Sequence, residues 1–300
     1  MARRCRSGPV RHRARPPRLP DHRPRETGFA VTTRSAAVGD WQAYLTNRSR
    51  RQRDGRFLIH GHELLTAAIA HGWPIERLVY RLGGLSSWAR ETLDSSGLPS
   101  VGLVPEVMAD LAEPGYGVPD LVAVAHTRQY TLAGFVPDAA EPPVLVVVER
   151  PTGAAQLGAI LRSAQAFGAA AVVVSGSGAD LYDPQCVRAS AGALFALPVF
   201  RVSGAGAVTA YRAERAAAGQ AMALVGVAAA HPDPHANGAG PREIAAYDFN
   251  AATVLVVGDE LGETWHRICD DVVHLPVVAG LPTPCALSVA LYEIARRRQG

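Results

Sequence analysis

The chain contains no lysine; all thirty of its basic residues are arginine. The absence excludes the GxxxxGK[ST] phosphate loop, whose lysine reaches the terminal phosphates. Arginine suits bidentate phosphate contacts, although a GC-rich coding bias explains the same absence. A dinucleotide fingerprint is missing too, because Gly176-Ser177-Gly178 is not followed by the third glycine that GxGxxG requires. Cysteine is scarce: Cys5, Cys186, Cys269 and Cys285 form no CxxC pair and have no zinc-ligand spacing. They are expected to be buried, reduced thiols of a cytoplasmic protein. Neither His60-Gly61-His62-Glu63 nor the histidines of 231–235 has HExxH spacing, so both groups are expected at the surface and no metal is expected. No apolar run reaches about 18 residues, which excludes a transmembrane helix and a membrane partner. The basic N-terminus has no apolar stretch behind it, which speaks against a secretory signal. Charged residues make up only 19%, so most of the chain is expected to fold.

What charge there is lies unevenly. Residues 1–35 carry ten arginines against Asp21 and Glu26, a net of +8, and with +3 overall the remaining 265 residues sum to −5. This Arg- and Pro-rich segment lacks apolar periodicity and is expected to be a disordered extension. It is either a non-specific RNA-binding arm or simply unstructured. From 40 to 126 strands and helices alternate: a strand at Arg56–Ile59, a helix from Glu63 to Ala70, strands at Leu78–Tyr80, Val101–Val104 and Leu121–Val124. Helices are expected around Trp88–Leu93 and from Pro105 to Leu111. This predicts a small α/β domain. Residues 127–143, punctuated by Pro137, Pro142 and Pro143, read as a linker. From 144 to 300 the continuous apolar runs Val144–Val148, Ala171–Val174, Ala221–Val225, Val254–Val257 and Val272–Leu275 predict strands buried on both faces. Such runs belong to a mostly parallel sheet with helices on both sides. The last helix is expected over about Ala286–Arg298, and its terminal arginines complement the helix dipole.

Three segments of this second unit carry candidate chemistry. Gln156-Leu157-Gly158-Ala159-Ile160-Leu161-Arg162 follows a buried strand through the turn Arg150-Pro151-Thr152-Gly153, at the strand end where open α/β sheets bind ligands. Arg162, on an otherwise apolar helix, can hold a phosphate or favour charge on a reacting oxygen; a structural ion pair is the other possibility. Gly258-Asp259-Glu260-Leu261-Gly262 is a glycine-bracketed acidic loop at a strand end, suited to close backbone approach, or else a solvated turn. Leu275-Pro276-Val277 leads through a loop to Pro284-Cys285-Ala286-Leu287-Ser288-Val289-Ala290, where Ser288 is a cap or a site hydroxyl.

Taken in order, these segments resemble the SpoU (TrmH-type) branch of the SPOUT RNA 2′-O-methyltransferases. The first resembles the family's Asn-x-Gly-x-x-x-Arg motif, with Arg162 on its arginine. Tyr182-Asp183-Pro184 and Val187–Ala193 resemble the connecting segment, and Gly258–Gly262 resembles Gly-Asn-Glu-x-x-Gly, with Glu260 on its glutamate. Leu275-Pro276 and Ser288-Val289-Ala290 resemble the last motif. The sequence departs from the pattern at Gln156, Asp259 and Ala286, where the family has asparagine, and at Pro284, where serine is usual. Residues 40–126 resemble, more weakly, an L30e-like substrate-binding domain.

The resemblance implies an α/β domain closed by a C-terminal trefoil knot and a homodimer with its last helix near the interface. It also implies S-adenosyl-L-methionine as methyl donor. Gly258, Leu275, Pro276, Cys285 and Leu287 fall at cofactor positions, with backbone contacts expected from Gly258, Leu275 and Cys285. Arg162, Glu260, Ser288 and Gln156 fall at catalytic positions. Arg162 would contact the target nucleotide and favour the developing alkoxide, while Glu260 and Ser288 orient it or the hydroxyl. The implied substrate is structured RNA, ribosomal RNA favoured over transfer RNA. The departures leave a non-catalytic RNA-binding protein on the same fold as the alternative.

Overall fold

The computed structural model describes residues 29–31, 33, 35–138, 141–228 and 242–299. The first 28 residues, Cys5 among them, and the histidines of 231–235 lie outside the described residues.

The N-terminal unit begins with strand β1 (Phe29–Val31), within the segment expected to be disordered. Helix α1 (Ala36–Thr46) follows, capped by the Ser35 hydroxyl, and then α2 (Arg48–Asp54), capped by the Asn47 side chain and stopped at left-handed Gly55. Next come β2 (Arg56–His60), α3 (His62–Ala70), β3 (Ile75–Arg81), α4 (Ser87–Ser96), β4 (Ser100–Leu103), α5 (Pro105–Met108), a 3₁₀ turn at Ala109–Leu111, and β5 (Leu121–His126). The sheet order is β1-β4-β3-β5-β2, with β5 antiparallel to both its neighbours.

The C-terminal unit runs β6 (Val144–Glu149), α6 (Ala154–Ala166), β7 (Ala171–Ser175), α7 (Pro184–Ala189), α8 (Ala193–Ala196), β8 (Val199–Val202), α9 (Ala205–Ala217) and β9 (Ala223–Ala228). It continues with β10 (Arg242–Glu243), β11 (Thr253–Val257), α10 (Glu263–Ile268), β12 (Asp271–His274) and α11 (Thr283–Gln299). The seven strands lie in the order β10-β12-β9-β11-β6-β7-β8, and every pairing is parallel. The runs expected as strands buried on both faces are found there: Leu145–Val147, Val172–Val174 and Val254–Val256 are each at most 1% exposed.

The units are fused rather than tethered. One core cluster takes in Phe57, Leu65 and Trp73 from the first and Leu181, Phe195 and Leu197 from the second. Across the seam the Phe57 and Tyr182 ring centroids are 4.7 Å apart. Arg51, 2% exposed, donates to Asp180 at 2.9 Å and to Asp183 at 3.1 Å. Arg188 of α7 pairs with Glu113, which also lies 3.1 Å from His60. Burial alone would raise the Glu113 carboxyl; the hydrogen bonds and charges of His60 and Arg188 outweigh it and hold the group below the ordinary range.

Three expectations change. His60 is not a surface histidine: it is 5% exposed, with one ring nitrogen 2.8 Å from the Leu111 carbonyl. Of the thiols Cys186 is buried, Cys269 half-buried and Cys285 exposed. The 127–143 segment is not a free linker, since Leu132 is buried and Phe135 packs against Phe200 and Tyr211.

Candidate active site

The site is built where β6 and β11, adjacent and parallel, reach their C-terminal ends. After β6 the chain turns sharply at Arg150, whose φ of 40° is left-handed, and Gly153 leads into α6. After β11 comes the loop Gly258–Gly262. Glu149, the last residue of β6, accepts a hydrogen bond from the Gly262 amide at 3.0 Å. A Cβ on Gly262 would sit 2.8 Å from the Glu149 carboxylate, and one on Gly258 3.1 Å from the Glu260 carbonyl. Both bracketing glycines therefore sit in close approach to their neighbours.

A polar clasp joins the three motif segments. The Gln156 amide donates to Asp259 at 2.7 Å, and the Thr283 hydroxyl, at the start of α11, donates to the same carboxylate oxygen. The Thr152 hydroxyl lies 3.4 Å from both Gln156 Oε1 and the second Asp259 oxygen. The Thr283 hydrogen bond is the main cause that holds the Asp259 carboxyl below the usual range; burial opposes it and the bonds of Gln156 and Thr152 assist. Gln156 Oε1 also reaches the Gly153 amide at 3.5 Å, in the reciprocal half of a capping box.

A second bracket ties α6 to α11. The Ser288 hydroxyl donates to the Pro284 carbonyl at 2.7 Å and lies 2.8 Å from the Ser163 hydroxyl. A hydroxyl has one proton, so Ser163 donates to Ser288, and Ser288 fixes the helix one residue from Arg162. Arg162 and Glu260 are exposed and have no hydrogen-bond or ion-pair partner among the described residues. The structure thus joins Gln156 and Ser288 to the framework and leaves Arg162 and Glu260 without a charge partner among the described residues. Of the candidate cofactor residues, Gly258, Leu275 and Leu287 are buried, while Pro276 and Cys285 are exposed. The Leu275 carbonyl accepts from Val277 at 2.8 Å, and the Cys285 amide donates to Pro282 at 2.9 Å.

Glu149, Thr152 and Thr283 are not among the residues the sequence singles out, and Asp259 enters there only as a departure from the family pattern. A polar residue directly after an apolar strand run is the one local signal that points to Glu149. For Thr283, 24 residues from Asp259, no local signal exists.

The sequence profile of the SpoU rRNA Methylase family matches residues 143–290, and that of the SpoU L30e-like domain matches residues 35–123. A 23S rRNA (uridine(2479)-2′-O)-methyltransferase of Streptomyces viridochromogenes is 36% identical over 275 residues, 89% of this chain and 92% of that one. The crystal structure of the SpoU methyltransferase AviRb from the same organism, in complex with the cofactor AdoMet, aligns with a TM-score of 0.80 at 35% identity. That alignment covers 89% of this chain and 99% of the other. An RNA 2′-O ribose methyltransferase structure shares the fold, with a TM-score of 0.71 at 24% identity over 91% of this chain and all of that one.

Proposed function

This chain belongs to the SpoU rRNA methylase family, and from that premise we propose that it methylates a ribose 2′-oxygen of large-subunit ribosomal RNA, using S-adenosylmethionine. One observation carries the reading at the level of the site: a clasp of Gln156, Asp259 and Thr283 gathers the three motif segments at the ends of adjacent parallel strands.

The residues present fit the cofactor. Asp259 and Glu149, the latter 3.6 Å from Arg150, place carboxylates at the strand ends, which favours a sulfonium cation. Gly258, Leu275 and Cys285 would add backbone contacts, with Pro276 and Leu287 next to them in the chain. When bound, S-adenosylmethionine supplies a methyl group already activated by its positive sulfur. The chain must then position the attacking 2′-oxygen in line and relieve it of its proton. Arg162, a cation without a carboxylate partner among the described residues, contacts the target nucleotide and favours the developing alkoxide. Glu260, equally unpaired, orients the hydroxyl and accepts its proton. Ser288 acts through Ser163, as a positioning residue for the Arg162 helix.

A C₂ dimer belongs to the same reading. Val289 and Tyr292 on α11 are 43% and 56% exposed, apolar surface that a partner's helix would cover.

The test maps 2′-O-methyl positions in total RNA with and without the gene, then assays the purified protein on the mapped RNA. Arg162→Ala is expected to lower the rate by roughly 10²–10³-fold, as loss of one charge-stabilising donor does; methylation at the normal rate would refute the assignment. Ala286, 2% exposed where the family carries asparagine, favours a second reading, a non-catalytic RNA binder. Binding of S-adenosylmethionine without methylation of any RNA would select it.

A further inference from the structure

A cavity of about 380 Å³ opens between the two domains, well separated in the fold from the clasp. Its walls are Arg51 and Gln52 of α2, the segment that follows β5, the Asp180–Tyr182 turn, and β8 at the far edge of the large sheet. Strand β7 stands between β8 and β6, which puts the cavity roughly 10 Å along the sheet from the β6 end, at about 4.8 Å per strand.

Its chemistry is cationic and only partly compensated. Arg51 is neutralised by Asp180 and Asp183. Arg48, Arg128 and Arg201 have no carboxylate partner among the described residues. Arg48 donates to the Gly178 carbonyl at 2.9 Å, and Arg201 to the Ala179 carbonyl at 3.0 Å. Arg128 donates to the Gly72 carbonyl at 2.6 Å and to the Tyr130 hydroxyl at 3.3 Å. A guanidinium has five donors, so each keeps several free. Of the lining residues, three arginines (Arg51, Arg128 and Arg201) against Asp180 leave a net +2 at the cavity wall. Desolvation, and after it the like charge of Arg48, hold the Arg201 guanidinium below its usual value; a bound anion would relieve that repulsion.

The arrangement is also held rigid. Arg128 lies over the Trp73 ring at 4.4 Å, and its backbone amide and carbonyl are both bound to the Tyr182 hydroxyl, at 2.8 and 2.6 Å. Tyr130 remains 36% exposed, an aromatic surface beside the cations. Cations with free donors beside an aromatic ring suit a single-stranded nucleic-acid segment, its phosphates on the arginines and a base on the ring. Next to the cavity turn, Gly178 packs on the turn that enters α6: a Cβ there would sit 2.8 Å from the carbonyl of Pro151.

We propose that this interdomain cleft is a second RNA-binding site, in which Arg128 and Arg201 grip a phosphodiester stretch of the substrate outside the methyl-transfer centre. The proposal rests on the reading of the chain as an RNA methyltransferase.

The full chain and an unmodified 23S rRNA transcript test it, by filter binding between about 50 and 200 mM salt. Titration of S-adenosylmethionine and a thermal melt serve as controls on the fold. The double variant Arg128→Gln, Arg201→Gln is expected to bind the transcript at least tenfold more weakly. Its slope of log affinity against log salt should be shallower by about 1.4, because two phosphates are no longer neutralised, at ~0.7 each for a single strand. S-adenosylmethionine binding should be unchanged, and Arg128→Lys, Arg201→Lys should recover most of the slope. An unchanged slope in the glutamine variant overturns the proposal. So does a lysine variant as impaired as the glutamine one, or a loss of RNA affinity matched by loss of S-adenosylmethionine binding, since purely structural arginines would behave so. If the wild type methylates the transcript while the variants bind it normally, the cleft fails and the methyltransferase reading stands. If the wild type neither binds nor methylates it, that reading fails and the cleft with it.

Discussion

Gln156 and Asp259 depart from the family's asparagines at both positions, yet they answer one another. The longer amide reaches the carboxylate at 2.7 Å, so a donor and an acceptor still meet where two amides would. The pairing is directional, and so testable. Gln156→Glu places two carboxylates in contact and is expected to weaken S-adenosylmethionine binding. Adding Asp259→Asn restores a donor–acceptor pair with its polarity reversed and should recover part of the loss, for a coupling of about 0.5–3 kcal/mol. Additive losses in a titration of the four proteins would show that the clasp plays no such role. Asp259 also sets an acid limit. Its folded-state pKa is depressed, chiefly by Thr283, so its contribution is fully present above the ordinary aspartate value of about 3.9 and is lost as pH falls through the lower folded value. S-adenosylmethionine affinity should therefore hold from neutrality down to about pH 4 and decline below it. A decline centred near pH 6 would point to another group.

At the scale of elements, α6 and α11 are joined by Ser163 and Ser288, and the loop after β11 is tied to β6 through Glu149. Strands buried on both faces were legible in the sequence because an unbroken valine run fits no solvent-facing element. The edges were not. In β8, Val199 and Phe200 are buried but Arg201 is exposed, a pattern too short and mixed to distinguish from a turn. β10 has two residues, both exposed. The α2 helix reads locally as a solvated arginine run, and its Arg51 becomes a buried cation only because Asp180 and Asp183 arrive from the other domain. Removing it strands a largely buried carboxylate, so Arg51→Ala should cost about 3 kcal/mol, read as a lower urea midpoint. An unchanged midpoint would mean the pair adds nothing to the fold.

For the whole molecule, fusion of the domains decides what substrate recognition can be. A shared core and the Arg51, Arg188 and Tyr182 contacts hold the L30e-like unit at a set angle to the methyl-transfer end. The proposed C₂ dimer would cover the exposed Val289 and Tyr292 of α11, and sedimentation of a strict monomer at micromolar concentration would contradict it.

The sequence alone determined the two-domain α/β plan, the parallel sheet and the motif segments, because strand burial and strand-end loops leave periodic or contiguous marks in the chain. Only the tertiary structure decided that Thr152, Gln156, Asp259 and Thr283 form one clasp, that His60 is buried, and that three arginines converge on an interdomain cleft. Each depends on groups far apart in sequence whose meeting is set by strand order and domain docking, and no local pattern encodes that distance.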